Sequence, residues 1–420
     1  VHATKVRVRG ARSASPQRQD ANPPPTRHKL GAMTAPLTAL VLSGGGSRGA
    51  YEAGAVLGLV EALELGPNDP APFQVFTGTS VGALNVTFLA SKAHLGHMAA
   101  SELADHWRTL RLRTHARVRA RALLHRAAID LGPVEEVVRR AIDWPALSRN
   151  LSSHTVAAVV LASLHVGTGR TVLFADLAPG HVMTASRDPA RLQVQARLTA
   201  DHVLASAAIP GVFPPRRIGD ALFYDGGLRF NTPIAPAIRA GADRLVVVSP
   251  RFSAPPVPVS SLDELDDGQV GAPDLTFLMG KMLDALLLDP FAYDLEVLQR
   301  FNQFVRLLDE TVTPANRKRF DDATIASRGQ PYRTLDTFVI APTDDIGRIA
   351  NEHIRRNRLR VARQGVLGLA LAALAGGSGG SDSDLLSYLL FDGGFAGELI
   401  ELGRRDALAR TAELRAFFGH

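Results

Sequence analysis

Leu37-Thr38-Ala39-Leu40-Val41-Leu42-Ser43-Gly44-Gly45-Gly46-Ser47-Arg48-Gly49 is the stretch whose reading decides the fold. A short, mostly apolar run that stops at a serine and three glycines predicts a buried strand over 37–42 followed by a tight loop. Beyond it, Ala50–Leu65 places Ala53, Val56, Leu57, Val60 and Leu63 on one side of a helix. The order then repeats. Gln74–Thr77 predicts a second short strand, Gly78-Thr79-Ser80-Val81-Gly82 a second glycine-bearing turn, and Val81–Lys92 a second helix. Strand, glycine loop and helix, twice over, predict a mostly parallel, doubly wound α/β sheet.

Further along, Val156–Ala162 and Thr171–Phe174 predict strands around the turn Gly167-Thr168-Gly169, and a helix near Asp201–Ala208 runs into the proline-stiffened Ile209–Pro215. Ala221–Tyr224 predicts a strand ending in Asp225-Gly226-Gly227. Pro233 opens a helix ending at Gly241, and Leu245–Val248 predicts another buried strand. Residues 101–149 read as an Arg-rich, solvated outer layer. Leu275–Leu288 and Leu295–Leu308 read as an apolar helical pair, for which core packing is favoured over a lid or a membrane-docking face. Thr337–Ala341 is a late strand, followed by helices interrupted by the Gly/Ser stretch 376–382.

Composition narrows the function. The chain has 420 residues, 46% of them hydrophobic, enough for a large core, and no cysteine, which excludes disulfides, thiolate metal sites and a cysteine nucleophile. The formal charge of +6 lies entirely in residues 1–32, where seven basic side chains face Asp20 alone. A nucleic-acid partner is therefore not expected, and 1–35 reads as a disordered basic extension. Met33, just ahead of the first strand, is the expected translation start. No apolar run reaches the length of a bilayer span and no secretory h-region stands out, so a cytoplasmic or peripheral membrane location is expected.

The first loop matches G-x-G-x-x-G between a strand and a helix, as a dinucleotide site would. Equally, it is a nest of N–H groups fit for an oxyanion. Against the nucleotide reading, the acidic ribose ligand should end the second strand, whereas Glu64, at the right distance, lies in the first helix. Gly78–Gly82 is a G-x-S-x-G on a strand-to-helix turn. Such a turn strains the serine and exposes its Oγ, glycines on either side let backbones pass closely, and the helix aims its positive end at the developing charge. Ser80 is thereby the candidate nucleophile. A second match, Gly376-Gly377-Ser378-Gly379-Gly380, has no strand before it and reads as linker. Asp392-Gly393-Gly394 likewise duplicates Asp225-Gly226-Gly227, but lies between helical segments.

Taken together, Val41–Gly49, Gly78–Gly82, Ala205–Pro215 and Asp225–Gly227 resemble, in order and context, the patatin-like phospholipases, closely over residues 37 to about 250 and more loosely beyond. The resemblance implies a three-layer α/β/α patatin-like fold with a mostly parallel central sheet and extra C-terminal helices. The expected division is a patatin-like catalytic core over 36–250, a loop with the apolar helical pair as a candidate lid over 251–335, and a last core strand with C-terminal helices over 336–420. The resemblance also implies hydrolysis of phospholipid or other lipid acyl esters at a membrane surface, with no metal or other cofactor. Ser80 and Asp225 would form a Ser–Asp dyad, Gly44, Gly45 and Gly46 the oxyanion hole, and Arg48, Gly78, Gly82, Gly226 and Gly227 the supporting positions. A carboxylesterase or acyltransferase using soluble acyl donors is the neighbouring alternative, and a nucleotide-binding module the distant one. In a triad, His353 would take the third place, but Asn351–Arg356 reads as an exposed polar helix; His165 and His202 read as core or rim, and His94 and His97, three apart on a helix, as surface.

Overall fold

The computed structural model describes residues 36–111, 117–118, 129–130, 132–210, 213–252, 281–282, 289–375 and 383–419. The basic extension 1–35, most of 251–288 with the first apolar helix, and the Gly/Ser stretch with its duplicate serine motif lie outside the described residues.

The predicted first strand is β1 (Thr38–Leu42), and helix α1 (Gly49–Ala62) leads to β2 (Val75–Thr79), α2 (Val81–Ser91) and α3 (Gly96–Thr109). After a short hairpin of β3 (Arg117–Val118) and β4 (Ile129–Asp130) come β5 (Ala158–His165), β6 (Thr171–Leu177), β7 (Arg191–Gln195), β8 (Arg216–Ile218), β9 (Ala221–Asp225), β10 (Arg244–Val248) and β11 (Asp336–Ile340). Among the described residues the main sheet runs β11-β10-β1-β2-β5-β6-β7, with β9 pairing β5 and β8. The block β11-β10-β1-β2-β5 is parallel throughout, and β6 and β9 run antiparallel to β5.

Side chains alternate along a strand, and here both faces are covered. Leu40 and Leu42 of β1 join one core with α1 and α2, while Ala39 and Val41 join the other with the helix Ile234–Arg239. The expected sheet flanked by helices is thus present, and β11 extends it where a late strand was predicted.

The helix Gly393–Leu408 crosses α1 where glycines remove side chains from the contact: a Cβ on Gly54 would lie 2.1 Å from the Ile400 carbonyl oxygen, and one on Gly403 would lie 2.3 Å from that of Tyr51. A chain segment more than 300 residues downstream therefore seals the first helix against solvent.

Four expectations need correction. Among its described residues the 101–149 region is not wholly a solvated layer: Leu103, Ala104, Trp107, Ala146 and Leu147 are buried, while Arg108, Arg139, Arg140 and Arg149 are exposed. Leu295–Leu308 does lie in a helix, Asp289–Thr311, yet it buries only a narrow stripe at Leu298 and Val305 and exposes Phe301, Phe304 and Leu307. His94 falls in the turn before α3, so it does not share a helix with His97. His353 is buried. No described helix is long and apolar enough to cross a membrane.

Candidate active site

Parallel pairing sets Leu42 of β1 beside Gly78 of β2, so the loop after β1 and the turn after β2 emerge together. Ser80 stands between β2 and α2 with φ 56° and ψ −128°, a conformation that costs an L-residue about 1–3 kcal/mol and persists only when its surroundings over-determine it. Those surroundings are visible. A Cβ on Gly78 would come 2.4 Å from the Gly82 carbonyl oxygen, and one on Gly82 would come 2.5 Å from that of Leu42. The Ser80 N–H donates to Ser206 Oγ (3.0 Å), and Ser206 donates in turn to the carbonyl of Ala162 (2.6 Å).

Ala162 and Ser163, near the end of β5, also seat the aspartate. Asp225 closes β9 opposite Ser163, and a Cβ on Gly226 would lie 2.4 Å from the Ala162 carbonyl oxygen. Asp225 is 1% exposed. Its Oδ1 accepts the Gly227 N–H at 2.7 Å, and Oδ2 meets no donor at full hydrogen-bond geometry, although the Ser80 hydroxyl is near enough to act on the carboxyl. Burial pushes this carboxyl up to about 7, against the opposing pull of Ser80 and of the Gly227 N–H. A carboxylate that holds its proton near neutrality is a far better base than an exposed aspartate.

The glycine loop closes over the serine: a Cβ on Gly44 would lie 2.9 Å from that of Ser80. Here one expectation fails. The Gly44 N–H donates to Asn231 Oδ1 (3.0 Å), while Asn231 Nδ2 donates back to the Gly44 carbonyl (3.2 Å), so this amide is occupied. Among the described residues no group engages the N–H of Gly45 or Gly46. Gly46, at φ +57°, lines a cavity of about 150 Å³ together with Ser80. The other walls are almost wholly apolar, among them Leu84, Phe88, Trp107, Ile142, Leu204 and Phe391.

Residues 40–238 match the model of a family described as Patatin-like phospholipase, a stretch that holds the loop, the elbow and the aspartate. The chain carries a patatin-like phospholipase domain. Patatin-like phospholipases are lipid acyl hydrolases, which gives this domain its general activity. Among solved structures, the crystal structure of VipD from Legionella pneumophila is similar at 10% identity with a TM-score of 0.30, over 87% of this chain and 92% of that one, a likeness too slight to argue from. No curated protein matches the chain.

Beyond the end of the patatin-like match, the helix Ser383–Leu389 grips the glycine loop. Ser47 Oγ donates to the Ser387 carbonyl (2.5 Å), Arg48 Nε donates to Ser387 Oγ (2.7 Å), and the Arg48 guanidinium lies over the Tyr388 ring and 3.4 Å from Asp384. Arg48 is buried in these contacts. A Cβ on Gly46 would come 2.3 Å from the Tyr388 carbonyl oxygen, so the loop and this helix meet backbone to backbone. Nothing local in the sequence marks that contact. Ser206, inside the Ala205–Pro215 block, and Asn231, four residues after the Asp225-Gly226-Gly227 turn, likewise carry no local sign of their partners.

His353 is taken up elsewhere. Nδ1 sits 2.7 Å from Glu398 Oε1, and Nε2 sits 3.2 Å from Asp392 and 3.0 Å from Arg360 Nη2. Both ring nitrogens are committed, leaving none to serve Ser80. His165 lies at the end of β5 and bonds Thr168, and His202 caps its own helix through Thr199. The two His positions 94 and 97 belong to no metal-binding cluster among the described residues. As for nucleotide binding, Glu64 follows α1 and not β2.

Proposed function

We propose that the chain is a serine-dependent lipid acyl-ester hydrolase of the phospholipase A or lysophospholipase type, with Ser80 as nucleophile and Asp225 as general base. One observation carries the reading: a strained serine that lines an apolar cavity meets a buried carboxyl poised at about 7. Asp225 takes the hydroxyl proton as Oγ attacks the acyl carbon, and the oxyanion rests on the N–H groups of Gly45 and Gly46 at the positive end of α2. Asp225 then returns the proton to the departing alcohol. Water releases the acyl group by the same steps in reverse, and the proton balance closes within the two side chains.

The cavity size supports a second reading alongside the first. A dry pocket near 150 Å³ accommodates a benzene-sized guest, roughly six carbons, so longer chains must extend past its mouth while short soluble esters fit entirely. Phosphatidylcholine vesicles and p-nitrophenyl butyrate, each followed by mass spectrometry of released acids, separate lipid from soluble ester as substrate. Ser80→Ala is expected to lose at least about a thousandfold in kcat on whichever ester is used, and undiminished turnover in that variant would end the proposal.

A further inference from the structure

Glu52 lies one helical turn into α1 and is completely buried, although nothing in the proton relay uses it. Its Oε2 accepts from Asn85 Nδ2 at 2.9 Å, and the Ser43 backbone N–H acts on the same carboxyl. Asn85, on α2 five residues after Ser80, also donates to the Gly49 carbonyl (3.0 Å) and accepts from Trp107 Nε1 (3.1 Å), and Trp107 is part of the cavity wall. The Glu52–Asn85 pair therefore ties the start of α1 to the helix that follows the serine and to the cavity wall at Trp107. We propose that Glu52 is a positioning residue: through Asn85, which also holds the Gly49 carbonyl, it keeps the 43–49 glycine loop against α2, so that the loop amides face the Ser80 acyl centre.

The chemistry calls for the neutral acid. Burial raises the Glu52 carboxyl well above its ordinary range, opposed only by the Asn85 amide and the Ser43 N–H. No charged group faces it from the loop, α2 or α3. Oε2 is the oxygen that accepts from Asn85, and Oε1 meets no hydrogen-bond partner among the described residues. A charged carboxylate at this position would be held by neutral donors alone, deep in an apolar layer, at a cost the neutral form avoids.

This role rests on the hydrolase reading of Ser80, and the test keeps the two apart. Hydrolysis of p-nitrophenyl butyrate, normalised to active sites by fluorophosphonate labelling, is compared in wild type, Glu52→Gln, Glu52→Asp and Glu52→Ala. Glutamine reproduces the length and neutrality of the acid, so it should stay within about threefold of the wild-type kcat with an unchanged pH profile. Aspartate keeps the acid but falls one methylene short, and alanine removes the contact. Both should lower kcat at least about tenfold with KM within about twofold, because the loss falls on the transition state. Hydrogen–deuterium exchange over residues 43–49 gives a readout independent of turnover, expected to quicken in the aspartate and alanine variants and to stay unchanged in the glutamine variant. A glutamine variant as impaired as alanine, or a folded aspartate variant with wild-type kcat and exchange, would overturn the role of Glu52. A wild type without Ser80-dependent turnover would remove the hydrolase reading instead, and the exchange comparison would still decide whether Glu52 holds the loop.

Discussion

Asp225-Gly226-Gly227 and Asp392-Gly393-Gly394 share a tripeptide, and both aspartates are almost wholly buried. In each, the first glycine is needed because another backbone passes too close for a side chain: a Cβ would lie 2.4 Å from the Ala162 carbonyl oxygen at Gly226 and 2.0 Å from that of Arg108 at Gly393. Yet the carboxyls differ in kind. Asp392 caps the helix Gly393–Leu408, accepting the N–H groups of Gly394 and Phe395, and it also faces His353, Arg360 and Gln364. Burial would raise its pKa, but these donors outweigh it and hold the carboxyl far below the usual range. Asp225 has one backbone donor and a serine nearby, with no cation among the causes acting on it, so burial prevails. Two carboxyls that water scarcely reaches thus give a proton acceptor in one place and a fixed anion in the other, because Asp225 lies deeper with fewer donors while Asp392 also faces the Arg360 guanidinium.

The sharpest way to break this comparison is to remove each charge in turn. Asp225→Asn should lower kcat by at least about a thousandfold while the protein folds normally, since the base is lost and no partner is orphaned. Asp392→Asn should leave the chemistry of Ser80 in place but cost about 3 kcal/mol of stability by chemical denaturation, because His353 and Arg360 lose a buried counter-charge. If the two variants exchanged these effects, the assignment of base and cap would be reversed.

A pH titration sharpens it further. Hydrolysis needs Asp225 ionised, so kcat/KM should fall about tenfold per pH unit below a midpoint near 7, as initial rates from pH 5 to 9 would show. The stability effects carry opposite signs. Asp225 has a raised folded pKa, so its ionisation weakens the fold progressively as pH rises from the unfolded range to about 7, with a constant penalty above that. Asp225→Asn should therefore be the more stable protein at pH 8, by roughly 4 kcal/mol. Asp392 has a depressed folded pKa, so its contribution is complete above the unfolded range and is lost as pH falls towards the folded value. Smallest of all, Ser80→Gly should stabilise by about 1 kcal/mol relative to Ser80→Ala in thermal denaturation, because glycine accepts the positive φ that alanine must strain to adopt.

Much of the architecture was legible in the chain. Short apolar runs marked β1, β2 and β10 to within a residue or two, since a strand buried on both faces leaves a continuous apolar signature, and Asp225-Gly226 marked the end of β9. The elbow was legible too, because the glycines flanking Ser80 record a close backbone approach that no other residue tolerates. His353 was misread for the converse reason. A polar helix, Asn351–Arg356, looks solvated when its neighbours in space, Asp392 and Glu398, are invisible from its own segment.

By itself, the sequence determined backbone form: where strands stop, where a residue must adopt an unusual φ, and which residue types stand ready for acyl chemistry. Only the tertiary structure decided which amides remain available, which aspartate keeps its proton, and what braces the loop. The Gly44 amide is taken by a side chain 187 residues away, and Ser47 is held by a carbonyl 340 residues away. Local pattern encodes sterics within a few residues, whereas protonation and hydrogen-bond occupancy depend on groups that meet only after the chain has folded.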